Sequence, residues 1–158
     1  MNHVLNSDRP DKVALVEGDN AFTYAQIEHC IVHFASGLLA GRGDLKEARA
    51  AFLIPAGVDY VTALHGVWRA GGIAIPLNVA SAGSEWEHCL TSAGVTQVIA
   101  DEQTFGSIEG LCERLSIPIA TVSDTLTDSV SSFPALSPAR RAMICLLYTS
   151  PSPRDSLS

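Results

Sequence analysis

Residues 50–78 constrain the fold more than any other part of this chain. The runs Ala50-Ala-Phe-Leu-Ile54 and Ile73-Ala-Ile-Pro-Leu77 are apolar almost throughout, as strands covered on both faces must be. Between them Val58, Val61, Leu64, Val67 and Trp68 recur at helical spacing. Gly71-Gly72 follows as a helix C-cap that turns the chain tightly into the next strand. Strand, helix and strand follow without a break, which makes this segment one βαβ unit.

The flanks continue the alternation. Lys12–Glu17 and Ala21–Thr23 bracket Gly18-Asp-Asn20, residues that tolerate positive φ at a turn, and the spacing predicts a short hairpin. Thr23 suits a helix N-cap with Gln26 at the capping-box position, and Ile27, Ile31, Phe34 and Leu38 make an apolar stripe running to Gly41. A further helix is expected from an N-cap at Ser84, with Glu87 three residues on, Trp86, Leu90 and Ala93 on its apolar face and Gly94 at its end. Val95–Ala100 reads as a strand, Phe105, Ile108, Leu111, Cys112 and Leu115 as a helix face, and Ile117–Val122 as another strand. The fold class is therefore α/β, with a mostly parallel, doubly wound sheet. The Ser, Thr and Pro-rich stretch after Val122 has little periodicity and reads as a surface loop. The organisation expected is a lobe over 1–122, a loop over 123–140, the start of another strand over 141–144, and a tail over 145–158.

Composition excludes several classes. Ten Lys and Arg against 17 Asp and Glu leave a net charge of −7 with no basic run, which argues against nucleic acid or an acidic membrane as partner. No apolar run approaches the ~18 residues that would span a bilayer, and Met1–Pro10 lacks the apolar centre of a signal peptide, so a cytoplasmic protein is the expectation. Cys30, Cys89, Cys112 and Cys145 form no C-x-x-C pair and read as reduced, structural residues.

Few side chains carry chemistry by spacing alone. His29 and His33 stand four apart on a helix, and His88-Cys89 could add ligands, but no Asp or Glu completes a known metal pattern. Surface or packed histidines are the expected reading, and no metal site is assigned. His65 lies on the apolar face beside Leu64 and Trp68, as a packed, hydrogen-bonded imidazole would. Gly41-Arg-Gly43 lacks the third glycine and the preceding strand of a dinucleotide fingerprint and reads as a loop after a helix. Ser84 lacks the Gly-x-Ser-x-Gly setting of a hydrolase nucleophile, and no catalytic residue is assigned.

A family resemblance rests on particular blocks. Phe22-Thr-Tyr-Ala-Gln-Ile27, Gly43-Asp44, Phe52-Leu-Ile-Pro55, Asp59-Tyr60, Trp68-Arg-Ala-Gly-Gly-Ile-Ala-Ile-Pro-Leu-Asn78 and Glu85-Trp-Glu-His-Cys-Leu90 together resemble the amino-terminal lobe of the adenylate-forming acyl-CoA synthetases. The match covers roughly residues 10 to 122 and most closely resembles malonyl-CoA synthetase-like members. One departure stands out: the family runs from Gly-Asp into Arg-Val-Ala, whereas here Leu45-Lys-Glu-Ala48 intervenes before Arg49.

The resemblance implies an acid–thiol ligase of the kind found in fatty acid metabolism. A carboxylate attacks the α-phosphate of Mg·ATP, and the thiol of CoA then displaces AMP. The implied cofactors are ATP, Mg²⁺ and CoA, and the implied substrate is a small carboxylic acid. The family holds ATP in a loop, Tyr-Thr-Ser-Gly-Thr-Thr-Gly, whose backbone N–H groups and hydroxyls surround phosphate oxygens. Ala142-Met-Ile144 resembles its lead-in, and Tyr148, Thr149 and Ser150 are either a remnant of the loop or a coincidence of three residues. Pro151 and Pro153 then remove N–H donors and fix φ where glycine is needed, so no phosphate cradle can form. Residues 145–158 read as a foreign tail of the kind produced when a truncated gene runs into vector sequence. The expectation is an inactive fragment that binds none of the family's cofactors. The alternative is a stand-alone, non-catalytic α/β module holding a small molecule at a sheet switch point.

Overall fold

The computed structural model describes residues 8–145. A two-stranded antiparallel hairpin, β1 (Val13–Glu17) and β2 (Asn20–Thr23), precedes helix α1 (Tyr24–Leu39). Then follow β3 (Arg49–Leu53), α2 (Val58–Arg69), β4 (Ile73–Pro76), α3 (Gly83–Ser92), β5 (Gln97–Ala100), α4 (Phe105–Arg114), β6 (Ile119–Thr121) and the short α5 (Val122–Thr125). Strands β4-β3-β5-β6 form one sheet in that order, and every pairing is parallel. The parallel α/β expectation is met, with the order reversing around β3.

Side-chain alternation along β3 divides the core in two. Ala50, Phe52 and Ile54 face one way and join Ala74 and Ile99 under α1 and α2, where Phe34, Leu38, Leu39, Ala63 and Val67 are buried. Ala51 and Leu53 face the other way with Ile75, Val98 and Ala100, under Trp86 and Leu90 of α3 and Ile108, Leu111 and Cys112 of α4. The sheet is thus covered by helices on both faces, which is why its strands carry no polar stripe.

Local chemistry sets the element ends. Thr23 caps α1 through its hydroxyl and Gln26 reciprocates, completing the capping box. Gly71, at φ +85°, ends the α2 turn as a left-handed residue. The expected cap at Ser84 is not found: α3 starts at Gly83 from Ala82, with no side-chain cap. Asn78 explains the earlier start. Its carboxamide accepts the Ala80 N–H and its carbonyl accepts the Ser81 N–H and the Trp86 indole N–H, which winds the chain into the helix ahead of Ser84.

After α5 the backbone is irregular but packed. The Thr127 carbonyl accepts from His33 Nδ1 at 2.6 Å, Ser131 N–H donates to Ser36 Oγ at 3.0 Å, and Phe133 lies against the first core with the Arg69 guanidinium 5.8 Å from its ring centre. This strap delivers residues 142–144 to the free edge of β4. There Ala74 N–H donates to the Ala142 carbonyl, Ile144 N–H donates to the Ala74 carbonyl, and Met143 bridges Ala74 in parallel.

Two glycines permit the closest packing under the strap. At Gly66 of α2 a Cβ would stand 2.3 Å from Phe34 Cδ1, so its absence lets α1 and α2 approach. At Gly37 of α1 a Cβ would stand 1.6 Å from the Thr125 carbonyl oxygen, a backbone atom that cannot rotate away. Gly37→Ala raises helix propensity by up to about 1 kcal/mol in isolation. Here it is expected to destabilise the chain by roughly 1–3 kcal/mol, as overpacking does. Urea unfolding checks the sign, and an unchanged or raised midpoint would refute the α1–α5 contact.

Candidate functional site

In an open parallel sheet, ligands bind outside the carboxyl ends of the strands, at the point where the connections reverse direction. That point here lies between β3 and β5. The chain leaves β3 for β4 through α2 on one face, then returns past β3 to β5 through α3 on the other. The Thr104 hydroxyl donates to the Leu53 carbonyl across this gap, and Asp101 Oδ1 accepts the Thr104 and Gln103 N–H groups, so the β5–α4 turn is fixed against the end of β3.

The charge at this crevice is negative. Burial pushes the Asp59 carboxyl above the usual carboxylate range, and the nearby charges of Glu17, Asp101 and Glu102 push it further the same way. Glu17 reaches over the start of α2, where a Cβ on Gly57 would meet its Oε1 at 1.9 Å. None of the strand-to-helix turns of the four-stranded sheet combines the several glycines and hydroxyl residues that cradle phosphate. The four sequences are 54–57 Ile-Pro-Ala-Gly, 77–82 Leu-Asn-Val-Ala-Ser-Ala, 101–104 Asp-Glu-Gln-Thr, and the direct β6–α5 junction. The described residues therefore do not fit ATP phosphates, and no group of three His, Cys, Asp or Glu among them is disposed to hold a metal ion.

The second feature is the segment 142–144, which lies along the free flank of β4 beside Ala74. Its position is fixed from below by Trp68, whose indole N–H donates to the Ala142 carbonyl at 2.6 Å. It is fixed from the strap by Arg140, paired through both guanidinium nitrogens with the Asp44 carboxylate. The Arg140 guanidinium holds the Asp44 carboxyl at about 2, well below its ordinary 3.8. Arg141 N–H donates to Glu47 Oε1 at 2.8 Å. A small cavity of about 50 Å³ lies among Trp68, Gly71, Leu136, Arg140 and Ala142. Sequence inspection missed these partners because 96 residues separate Asp44 from Arg140 and no local spacing joins them.

The other sequence candidates are dispersed. Tyr148, Thr149 and Ser150 lie outside the described residues. His29 and His33 stack on α1 with ring centres 4.1 Å apart, while His88 lies on α3 beside Ser92. His65 is half-buried with its ring edge-on to Trp68 at 5.1 Å. Burial pushes its pKa down, and the Arg69 charge adds to this. It is packed as expected. Gly41, at φ +85°, lies in the turn after α1, as expected of a loop after a helix. Burial raises the Cys30 and Cys112 thiols, which suits structural rather than nucleophilic roles.

The comparisons with known proteins agree with this geometry. A family profile described as AMP-binding enzyme matches residues 4–152. The mitochondrial malonate–CoA ligase of Mus musculus is 26% identical over 162 residues, which covers 94% of this chain and 27% of the mouse protein. Among solved structures, the N-terminal subdomain of Klebsiella oxytoca NpsA superposes with a TM-score of 0.72 at 21% identity, over 89% of this chain and 36% of that one. Apo MatB of Rhodopseudomonas palustris superposes with a TM-score of 0.74 at 21% identity, over 91% of this chain and 30% of that one. The chain thus spans about a quarter of the curated relative it matches over nearly its own full length. With its fold that of the amino-terminal domain of adenylate-forming enzymes and its sequence matched almost end to end, the chain belongs to the AMP-binding enzyme family.

Proposed function

We propose that the chain is the amino-terminal portion of an ATP-dependent acyl-CoA ligase, and that the 158-residue polypeptide alone does not catalyse the reaction. The full reaction joins a carboxylic acid to CoA and cleaves ATP to AMP and pyrophosphate. The observation that carries this reading is the docking of Ala142–Ile144 in parallel beside β4, which directs the chain toward the carboxyl edge where the family's nucleotide loop begins. Likeness to a malonate–CoA ligase supports a small carboxylic acid as substrate. Bound ATP and Mg²⁺ would supply the electrophilic phosphorus and its charge neutralisation. No step of that chemistry is assigned to residues 8–145, whose part is to hold the edge segment in place.

Two results test the proposal. With Mg·ATP and a panel of carboxylic acids including malonate, the purified 158-residue chain is expected to show no ATP–pyrophosphate exchange. Exchange above background would overturn the claim of inactivity. Uninterrupted genomic sequence after the Ile144 codon is expected to encode a glycine-rich Thr-Ser-Gly-Thr-Thr-Gly loop, and a stop codon directly after Ser158 would contradict the ligase reading.

The switch-point crevice is acidic, which speaks against it as a stand-alone site for an anionic small molecule. Burial there disfavours ionised Asp59, and like-charge crowding by Glu17, Asp101 and Glu102 adds to it. A raised folded-state pKa means that the folded protein holds its proton more tightly than the unfolded chain. Stability is therefore favoured below the ordinary value of 3.8 and lost as pH rises through the folded value. Asp59→Asn is expected to raise the urea midpoint at pH 7, with the gain vanishing below about pH 4. A lower midpoint at pH 7 would show that the α2 N-terminus, which favours negative charge, outweighs burial and repulsion.

A further inference from the structure

Asp44 and the Leu45-Lys-Glu-Ala48 departure that follows it build a clamp on the edge segment. Lys46 and Glu47 both lie in the left-handed region, at φ 52° and 61°. That conformation costs roughly 1–2 kcal/mol per residue other than glycine. The loop holds it through three hydrogen bonds: Leu45 N–H to the Ala70 carbonyl, Glu47 N–H to the Gly71 carbonyl, and Lys46 N–H to Asp44 Oδ1. Asp44, just before the departure, and Glu47 within it then bind the strap. Asp44 takes the Arg140 guanidinium on both oxygens, and Glu47 takes the Arg141 N–H. Gly71 lies beneath, and a Cβ there would stand 2.2 Å from Asp44 Oδ1 and 2.7 Å from Arg140 Nη1.

The edge segment needs such a clamp. Among the described residues, two backbone hydrogen bonds tie 142–144 to β4. Each contributes about 0.5–1.5 kcal/mol net. A slip of two residues would keep every side chain on its face, so the pleat alone does not forbid it. Such a slip would displace the loop that follows by about 6.6 Å, at ~3.3 Å per residue. The residues immediately before the segment, Arg140 and Arg141, are the ones the loop holds. Asp44 and Arg140 are only 21% and 29% exposed, so water screens this bidentate pair less than a surface ion pair.

We propose that Asp44 and Glu47 are positioning residues for nucleotide binding: by gripping Arg140 and Arg141 they fix the register of 142–144 on β4, and with it the place from which the ATP loop departs. The role rests on the ligase reading above, and the test separates the two. In the 158-residue chain, hydrogen exchange is read at single amides for wild type, Asp44→Asn and Arg140→Gln. Both variants are expected to speed exchange of the Ala74 and Ile144 amides about tenfold, leaving the β3 and β5 amides unchanged. Arg140→Gln alters only the strap, so it reports on the clamp even if Asp44→Asn disturbs the 44–48 loop. In the uninterrupted enzyme, both variants are expected to raise the KM for Mg·ATP about tenfold while the KM for the acid stays within about twofold.

Uniformly faster exchange across the whole sheet would reduce the clamp to general stability and overturn the positioning role. So would an active enzyme whose variants keep the wild-type KM for ATP. An uninterrupted wild-type enzyme with no ATP–pyrophosphate exchange would overturn the ligase reading and the positioning role with it, while the exchange data would still report on the clamp itself.

Discussion

Burial of β3 on four sides is the constraint on which the structure depends. Its backbone pairs in parallel with β4 and with β5, while its side chains alternate between two separate cores. Past Arg49 at its start, which donates to the Ala93 carbonyl, such a strand is wholly buried and apolar, and its parallel neighbours can be joined to it only by crossovers. Phe52 and Leu53 commit the two faces. Phe52 meets Phe34, Val67 and the Tyr60 ring on the α1–α2 side, and Leu53 meets the side chains of α3 and α4 on the other. The reversal of strand order, the crevice at the carboxyl edge and the free flank of β4 all follow from this arrangement.

Much of this was legible in the sequence because local rules apply to it. The Thr23–Gln26 capping box, the Gly18 turn, the left-handed Gly71 and the apolar stripes of α1, α2 and α4 each depend on residues within a few positions of one another. Ser84 misled because a capping pattern competes with other local hydrogen bonds, and Asn78 wound the chain first. The strap was illegible for another reason. Its hydroxyls and prolines give no period, and its order comes from tertiary partners such as His33, Ser36 and Arg69 that sequence spacing cannot reveal.

The same distinction applies to the site. Family-like blocks fall mostly on the scaffold, where they explain the sheet rather than the chemistry. The carboxyl edge of this portion is acidic at its switch point and offers no phosphate cradle among the described residues. What the chain offers instead is a fixed segment on the free flank of β4, held by Trp68 at Ala142, by Asp44, and by Glu47 from the loop that departs from the family's spacing. An ion pair spanning 96 residues thereby joins the α1–β3 connection to the segment that docks beside β4.

The most direct test of this account is the pattern of cross-strand nuclear Overhauser effects in the 158-residue chain. The account predicts parallel-strand contacts that run from residues 142–144 through Ala74 to Ala50, and from Ala51 through Val98 to Ile119. An antiparallel pattern at β4, or a β4 edge with no contact between Ala74 and Met143, would contradict it.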